Sequence, residues 1–193
     1  MRVHHLGIDL SLIPFEPRVW KPGEPLRVLL SGSFREKKGF PYAIEALARL
    51  ARSLPLEVTI IGDEHGEPRT IREKQKILEA IERGELSACT RRLGYQPYRT
   101  VMEEARRHHV FLSPSVTAAD GDTEGGAPVS LIEMSASGMM IVSTTHCDIP
   151  GVILDGKTGW LAPERDVDAL VAHLEWIAAN PERWSDMQRA GRA

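Results

Sequence analysis

Short apolar runs alternate with longer amphipathic stretches along most of this chain. Leu26–Ser31 (LRVLLS), Leu56–Ile61 (LEVTII) and Val110–Ser113 (VFLS), with the weaker runs 90–93 and 140–143, are brief and closed by Gly, Pro or polar residues. Apolar runs of this length, without alternation, predict strands buried on both faces of a parallel sheet. Between them the apolar positions recur at helical spacing. The stretch 39–54 carries Ala43, Ile44, Leu47, Leu50, Ala51 and Leu54, and 68–84 carries Ile71, Ile77, Leu78 and Ile81 opposite a charged, solvated face. Helices are also predicted over 97–108, 128–138 and 166–179, and a last one from Pro181; Asp148-Ile149-Pro150 reads as a turn. Strands alternating with helices predict an α/β fold with a doubly wound parallel sheet. In such a sheet, ligands bind beyond the carboxyl ends of the strands. The loops at Gly32, Gly94 and Asp120 all follow strands, so they fall on that one edge.

The most informative stretch is Asp120 to Gly138, DGDTEGGAPVSLIEMSASG. An acidic turn ending in Glu124 leads into the bare segment Gly125, Gly126 and Ala127. Pro128 then opens a helix, a position for which its fixed φ is preorganised, and Gly138 ends it. Glycines leave main-chain N–H groups uncovered, and a helix start attracts anions. Phosphates could lie on the amides of Val129 and Ser130, while the Glu124 carboxylate accepts hydrogen bonds from neutral hydroxyls. Sugar hydroxyls beside phosphates describe a nucleotide-sugar. A second phosphate-binding candidate is the Gly-flanked basic loop GSFREKKG, with Gly32, Ser33, Arg35, Lys37 and Lys38, between the first strand and its helix.

Composition narrows the classes. The chain has 193 residues, enough for one α/β domain with a sizeable core. A formal net charge of −3 gives no nucleic-acid footprint. Two cysteines far apart, Cys89 and Cys147, fit a reduced, cytoplasmic protein rather than a disulfide scaffold. No apolar run approaches the ~20 residues of a membrane helix, and the first residues show no signal-peptide pattern. Peripheral membrane association, at the inner face of the membrane, stays open.

The stretch from Glu124 to Glu133 resembles the donor-site signature of family 4 retaining glycosyltransferases, which have the two-domain GT-B architecture. The resemblance runs from Gly7 to the final helices. It implies a Rossmann-like C-terminal domain over 25–193, an interdomain linker over 1–24, and an N-terminal acceptor domain absent from this chain. It implies transfer of a sugar from a nucleotide-diphospho-sugar to a glycan or lipid-linked acceptor, with no metal and no other cofactor, and little transfer by this domain alone. In the family, seven residues separate the two glutamates; here eight separate Glu124 from Glu133. Either the Gly125-Gly126-Ala127 turn carries an extra residue, or the first glutamate's role has moved. Taking the first option, Glu124 orients the sugar and Glu133 the ribose. The family loop carries an Arg just after its first Gly and a Lys just before its second; Lys38 matches the Lys, whereas Ser33 stands at the Arg position and Arg35 lies two residues on. Lys38, with Arg35, would neutralise the leaving diphosphate. Tyr95, after the third strand, stands where a base could stack. Gly62-Asp63-Glu64-His65 and Pro150-Gly151 depart from the family's Gly-Asp-Gly-Pro and Pro-Glu pairs.

Other constellations compete. Asp120-Gly121-Asp122 could chelate a divalent metal. His108-His109, adjacent on a helix, do not face one ligand, and a surface place at the helix end is expected. Ser113, Ser115 and Ser130 lack a Gly-x-Ser-x-Gly context, and no Gly-x-Gly-x-x-Gly follows the first strand. A sugar-nucleotide epimerase of the same architecture and a non-catalytic nucleotide-sugar-binding module remain alternatives.

Overall fold

In a computed structural model, residues 7–193 are described. Six strands form one parallel sheet: β1 (Leu26–Ser31), β2 (Leu56–Ile61), β3 (Thr90–Arg92), β4 (Val110–Ser113), β5 (Met140–Thr144) and β6 (Trp160–Ala162), in the order β3-β2-β1-β4-β5-β6. The chain starts in the middle, winds outward to β3, crosses back and winds the other way. The reversal lies between β1 and β4, and a crevice at such a switch point is where α/β sheets bind ligands.

Alternate residues of every strand but β3 feed two separate cores, as the two-residue period of a strand requires. Val28, Leu30, Val58, Ile60, Leu112 and Val142 face α1 (Phe40–Leu50), α2 (Pro68–Arg83) and α6 (Val167–Ala179). Leu29, Ile61, Phe111 and Ile141 face α3 (Tyr98–Arg107) and α4 (Val129–Ala136). The Asp166 side chain caps α6 by accepting from the Ala169 amide at 2.9 Å, which satisfies one of the orphan donors of its first turn.

Three expectations are corrected. The 148–150 segment is not a plain turn: it enters the short helix α5 (Ile149–Val152), with Pro150 in its first turn. Trp160 to Ala162, which did not stand out as a strand, is the sheet's edge. His108 and His109 are buried, at 3% and 1% exposure, rather than on the surface. His109 packs against Trp184 and its Nδ1 accepts from the Arg27 amide at 3.1 Å. Burial, then the Arg27 charge, pushes its pKa down to about 3, so it is neutral.

Residues 1–24 were read as linker; Met1 to Leu6 lie outside the described residues, and the remainder is fastened to the domain. Trp20 stacks on Trp184 of α7 (Trp184–Arg192), with centroids 6.1 Å apart. Arg18 is buried and donates to the carbonyls of Ala105, His108 and Ser137, each at 3.1 Å. Those carbonyls lie at the C-terminal ends of α3 and α4, where a cation meets the negative end of the helix dipole.

Candidate functional site

The basic loop after β1 is pressed onto the exit of β4. Gly39 has φ +64, and a Cβ there would stand 1.9 Å from the Pro114 carbonyl oxygen, so glycine alone fits. The Lys37 carbonyl accepts from the Val116 amide at 2.9 Å, and Phe34 is buried edge-on against Phe40. A second close crossing fixes the other side of the loop: a Cβ on Gly62 would meet the Gly32 oxygen at 1.8 Å. Backbone contact of this kind leaves the loop one path, and that path turns Lys38 across the sheet edge.

Lys38 Nζ donates to both carboxylate oxygens of Glu124, at 2.8 and 2.9 Å. The Glu124 side chain is 7% exposed and Lys38 19%. Ser115, fully buried after β4, donates its hydroxyl to the same carboxylate at 2.8 Å. The Glu124 side chain is thus turned inward onto Lys38 and Ser115 despite the longer spacing to Glu133, and the chain then turns at Gly125, which takes φ +70. The main chain of Glu124 is held as well. Its N–H donates to His146 Nε2 at 3.1 Å, and the buried His146 pairs through Nδ1 with Glu164 at 2.6 Å. Glu164 accepts in turn from the Thr117 amide at 2.7 Å and hydroxyl at 3.2 Å. Burial alone would raise the Glu164 pKa, but these donors outweigh it and hold it below the usual carboxylate range.

Arg35 lies on the same edge but points elsewhere. It pairs with Asp122 at 3.6 Å and approaches His65 at 3.5 Å. Lys37 also takes Asp122, at 3.0 Å, and Asp120 faces Arg69 at 3.6 Å. The hydrogen bond from Lys37, with Arg35 and Arg69 nearby, lowers the Asp122 pKa. Among the described residues, no group of three or more His, Cys, Asp or Glu is arranged to hold a metal ion.

Pro128 stands at the N-cap position of α4, one residue earlier than a helix-opening proline, and no side chain caps the helix. Its first amides, at Val129 and Ser130, are therefore available at the positive end of a helix dipole. Glu133, one turn further, accepts from the Tyr98 hydroxyl at 3.0 Å. Tyr95, in the turn after β3, is 55% exposed, and its hydroxyl donates to the Asp63 carbonyl at 2.7 Å, which ties it to the loop after β2. Three groups therefore follow the strand ends: Tyr95 after β3, the Tyr98–Glu133 pair between α3 and α4, and the Lys38–Glu124 pair after β1 and β4. The sequence reading passed over His146, Glu164 and Tyr98, and considered Ser115 only as a nucleophile. Ser115 and His146 follow β4 and β5 on the ligand edge, and that placement was the available signal.

Comparison with known proteins now defines the class. A family model described as "Glycosyl transferases group 1" matches residues 14–193, so the chain belongs to this family. It is 40% identical over 152 residues to an amylovoran biosynthesis glycosyltransferase from Erwinia amylovora, covering 78% of this chain and 35% of that protein. The chain therefore spans about a third of the length of that curated relative. Its fold matches the C-terminal domain of a glycosyl transferase group 1 family protein from Francisella tularensis, with a TM-score of 0.80 at 16% identity, over 96% of this chain and 95% of that one. A protein from Anabaena, HepE, solved in complex with UDP and glucose, aligns with a TM-score of 0.73 at 17% identity, over 87% of this chain and 42% of that one. The architecture is the Rossmann-like C-terminal half of a GT-B glycosyltransferase. No helix among the described residues is long and apolar enough to cross a membrane.

Proposed function

We propose that this domain binds the nucleotide-diphospho-sugar donor of a retaining glycosyltransferase that builds a cell-surface polysaccharide or glycolipid. The observation that carries this reading is the Lys38–Glu124 pair beside the uncapped start of α4. A cation, free main-chain amides and an oriented carboxylate meet at one switch point, and a sugar diphosphate needs all three. In the transfer, the bond between the sugar's anomeric carbon and the diphosphate oxygen breaks. Negative charge grows on that oxygen, and the acceptor hydroxyl bonds to the anomeric carbon while its proton passes to the departing diphosphate. Lys38 and the amides of Val129 and Ser130 supply preorganised positive potential where that charge develops, which is a large catalytic term. Arg35 adds to the same field from beside Asp122, and Ser33 and Gly32 line the loop. Glu124, with Gly125, Gly126 and Ala127, orients the sugar hydroxyls; Glu133 takes the ribose, displacing the Tyr98 hydroxyl; Tyr95 stacks on the base. The donor needs no metal, and the acceptor is held by a separate N-terminal domain. The relatives' place in polysaccharide biosynthesis, and a cytoplasmic site of action with access to lipid-linked acceptors, fit this reading.

A thermal-shift and calorimetric screen of this chain against UDP-, GDP-, ADP- and dTDP-sugars tests it. One nucleotide-sugar should bind and raise the melting temperature; no response to any of them contradicts the reading. Product analysis of the full-length protein separates a transferase, which attaches the sugar to an acceptor, from an epimerase, which inverts it.

A further inference from the structure

The donor turn 124–127 is mostly glycine and alanine, and such a segment has little to fix it from within. Gly125, Gly126 and Ala127 have no bulky side chain to pack, the local bond is the one from the Gly125 amide to the Thr123 hydroxyl at 3.2 Å, and glycine loses more backbone freedom on ordering than any other residue. The carboxylate of Glu124 is nevertheless held on Lys38 and Ser115, so something must fix the backbone that carries it. The buried histidine after β5 contacts that backbone. His146 is 1% exposed, and its two ring nitrogens have opposite partners. Nδ1 lies 2.6 Å from the Glu164 carboxylate, an acceptor, so this nitrogen carries the proton. Nε2 is then left with a lone pair, and the Glu124 N–H donates to it at 3.1 Å. The Cys147 thiol lies against the same nitrogen, also at 3.1 Å. Glu164 is itself locked by Thr117 and Arg165, so the tautomer is set from behind.

We infer that His146 is a positioning residue for the donor sugar: Glu164 fixes its tautomer, and the resulting Nε2 acceptor clamps the main chain of Glu124. The clamp acts on the sugar contact and not on the nucleotide contacts, because Glu133 and the α4 amides lie beyond the glycine turn. The inference rests on the reading of Glu124 as the sugar-orienting acid.

Two measurements on this chain test it. The first is amide hydrogen exchange in the wild type, His146→Ala and His146→Gln. Alanine removes the acceptor, whereas glutamine offers a carbonyl oxygen at a similar reach. Exchange at the Glu124 amide should rise roughly three- to tenfold in His146→Ala, the factor one hydrogen bond is worth, and return toward wild type in His146→Gln. The Val58 amide, bonded inside the sheet to the Cys89 carbonyl, should not change. An unchanged Glu124 amide in His146→Ala, or an equal rise at Val58 and Glu124 in both variants, overturns the clamp. The second is the preference for UDP-glucose over UDP, or for whichever sugar nucleotide of the screen binds best over its nucleoside diphosphate. His146→Ala should lose that preference while keeping diphosphate affinity, and Glu124→Gln should do the same. Loss in Glu124→Gln but not in His146→Ala overturns the inference alone. No loss in Glu124→Gln removes Glu124 from the sugar site, and the exchange result then still decides whether His146 holds the turn.

Discussion

Lys38 Nζ and the Glu124 carboxylate, 86 positions apart in the chain, meet at 2.8 Å in the crevice between β1 and β4. The pair satisfies both charges. A diphosphate offers Lys38 a second partner, and Glu124 then has an oxygen free for a sugar hydroxyl. In the proposed reading, the contact that pairs the two side chains also prepares both halves of donor recognition.

Removing the cation should be felt by the diphosphate. Lys38→Ala is expected to weaken nucleoside-diphosphate binding by about 1.5–3 kcal/mol, the range for a hydrogen bond to a charged group. Calorimetry on the two proteins at one salt concentration checks this. An unchanged dissociation constant would take Lys38 out of the site.

Donor binding should not need a metal. Asp122 is engaged by Lys37 at 3.0 Å and Arg35 at 3.6 Å, and Asp120 faces Arg69. Positive potential for the phosphates comes instead from Lys38 and the start of α4. Titration in EDTA should reproduce the affinity measured in Mg²⁺ or Mn²⁺. Loss of binding in EDTA with recovery on Mn²⁺ would favour a metal on the Asp120–Asp122 turn.

Stability should fall with acid before the carboxylates titrate. His109 is neutral in the fold, with its pKa lowered to about 3 by burial, Arg27, His108 and Arg18, and burial lowers that of His108 too. In the unfolded chain a histidine titrates near 6.5. Below that value the unfolded state binds a proton that the folded state refuses, so acid favours unfolding. The slope is about 1.4 kcal/mol per pH unit for each fully neutral buried histidine. Urea unfolding at pH 7.5, 6 and 5 should show a falling midpoint, and His109→Gln should flatten the decline. A midpoint that stayed level from pH 7.5 to 5 would contradict the burial argument.

Much of this was legible from the residues. Five strands and the main helices followed from apolar runs and helical spacing, since buried elements write their environment into sequence. β6 did not, because a three-residue edge strand with Trp160 half-exposed has too short a pattern to read. The 149–152 helix was hidden by Pro150, which marks turns and first helical turns alike. His108-His109 was misplaced because adjacent polar residues at a helix end usually face water; here Trp184 packs on His109 and Arg18 binds the His108 carbonyl. In the candidate site, Lys38 and Glu124 were each singled out from a local motif, and the fold brings the two together. Arg35's turn toward Asp122 was not, since its partner is 87 positions away and only the tertiary loop contact selects it. His146 stood alone in its segment, without a motif to mark it.

The most direct test of the whole account sets two mutants against two ligands. Glu124 is claimed for the sugar and Glu133 for the ribose, so only one of them should notice whether the hexose is present. Glu124→Gln should weaken nucleotide-sugar binding and leave the free nucleoside diphosphate nearly untouched; Glu133→Gln should weaken both. An amide keeps the shape of the carboxylate but loses a charge-assisted acceptor, which is roughly twice as strong as a neutral one. The four dissociation constants, with the two wild-type values, are measured by calorimetry at one salt concentration. Loss confined to the sugar nucleotide in Glu124→Gln is the predicted result. Equal loss for both ligands would place Glu124 at the nucleotide or in the fold, and no loss for either would mean that the Gly125-Gly126 backbone, not Glu124, holds the sugar.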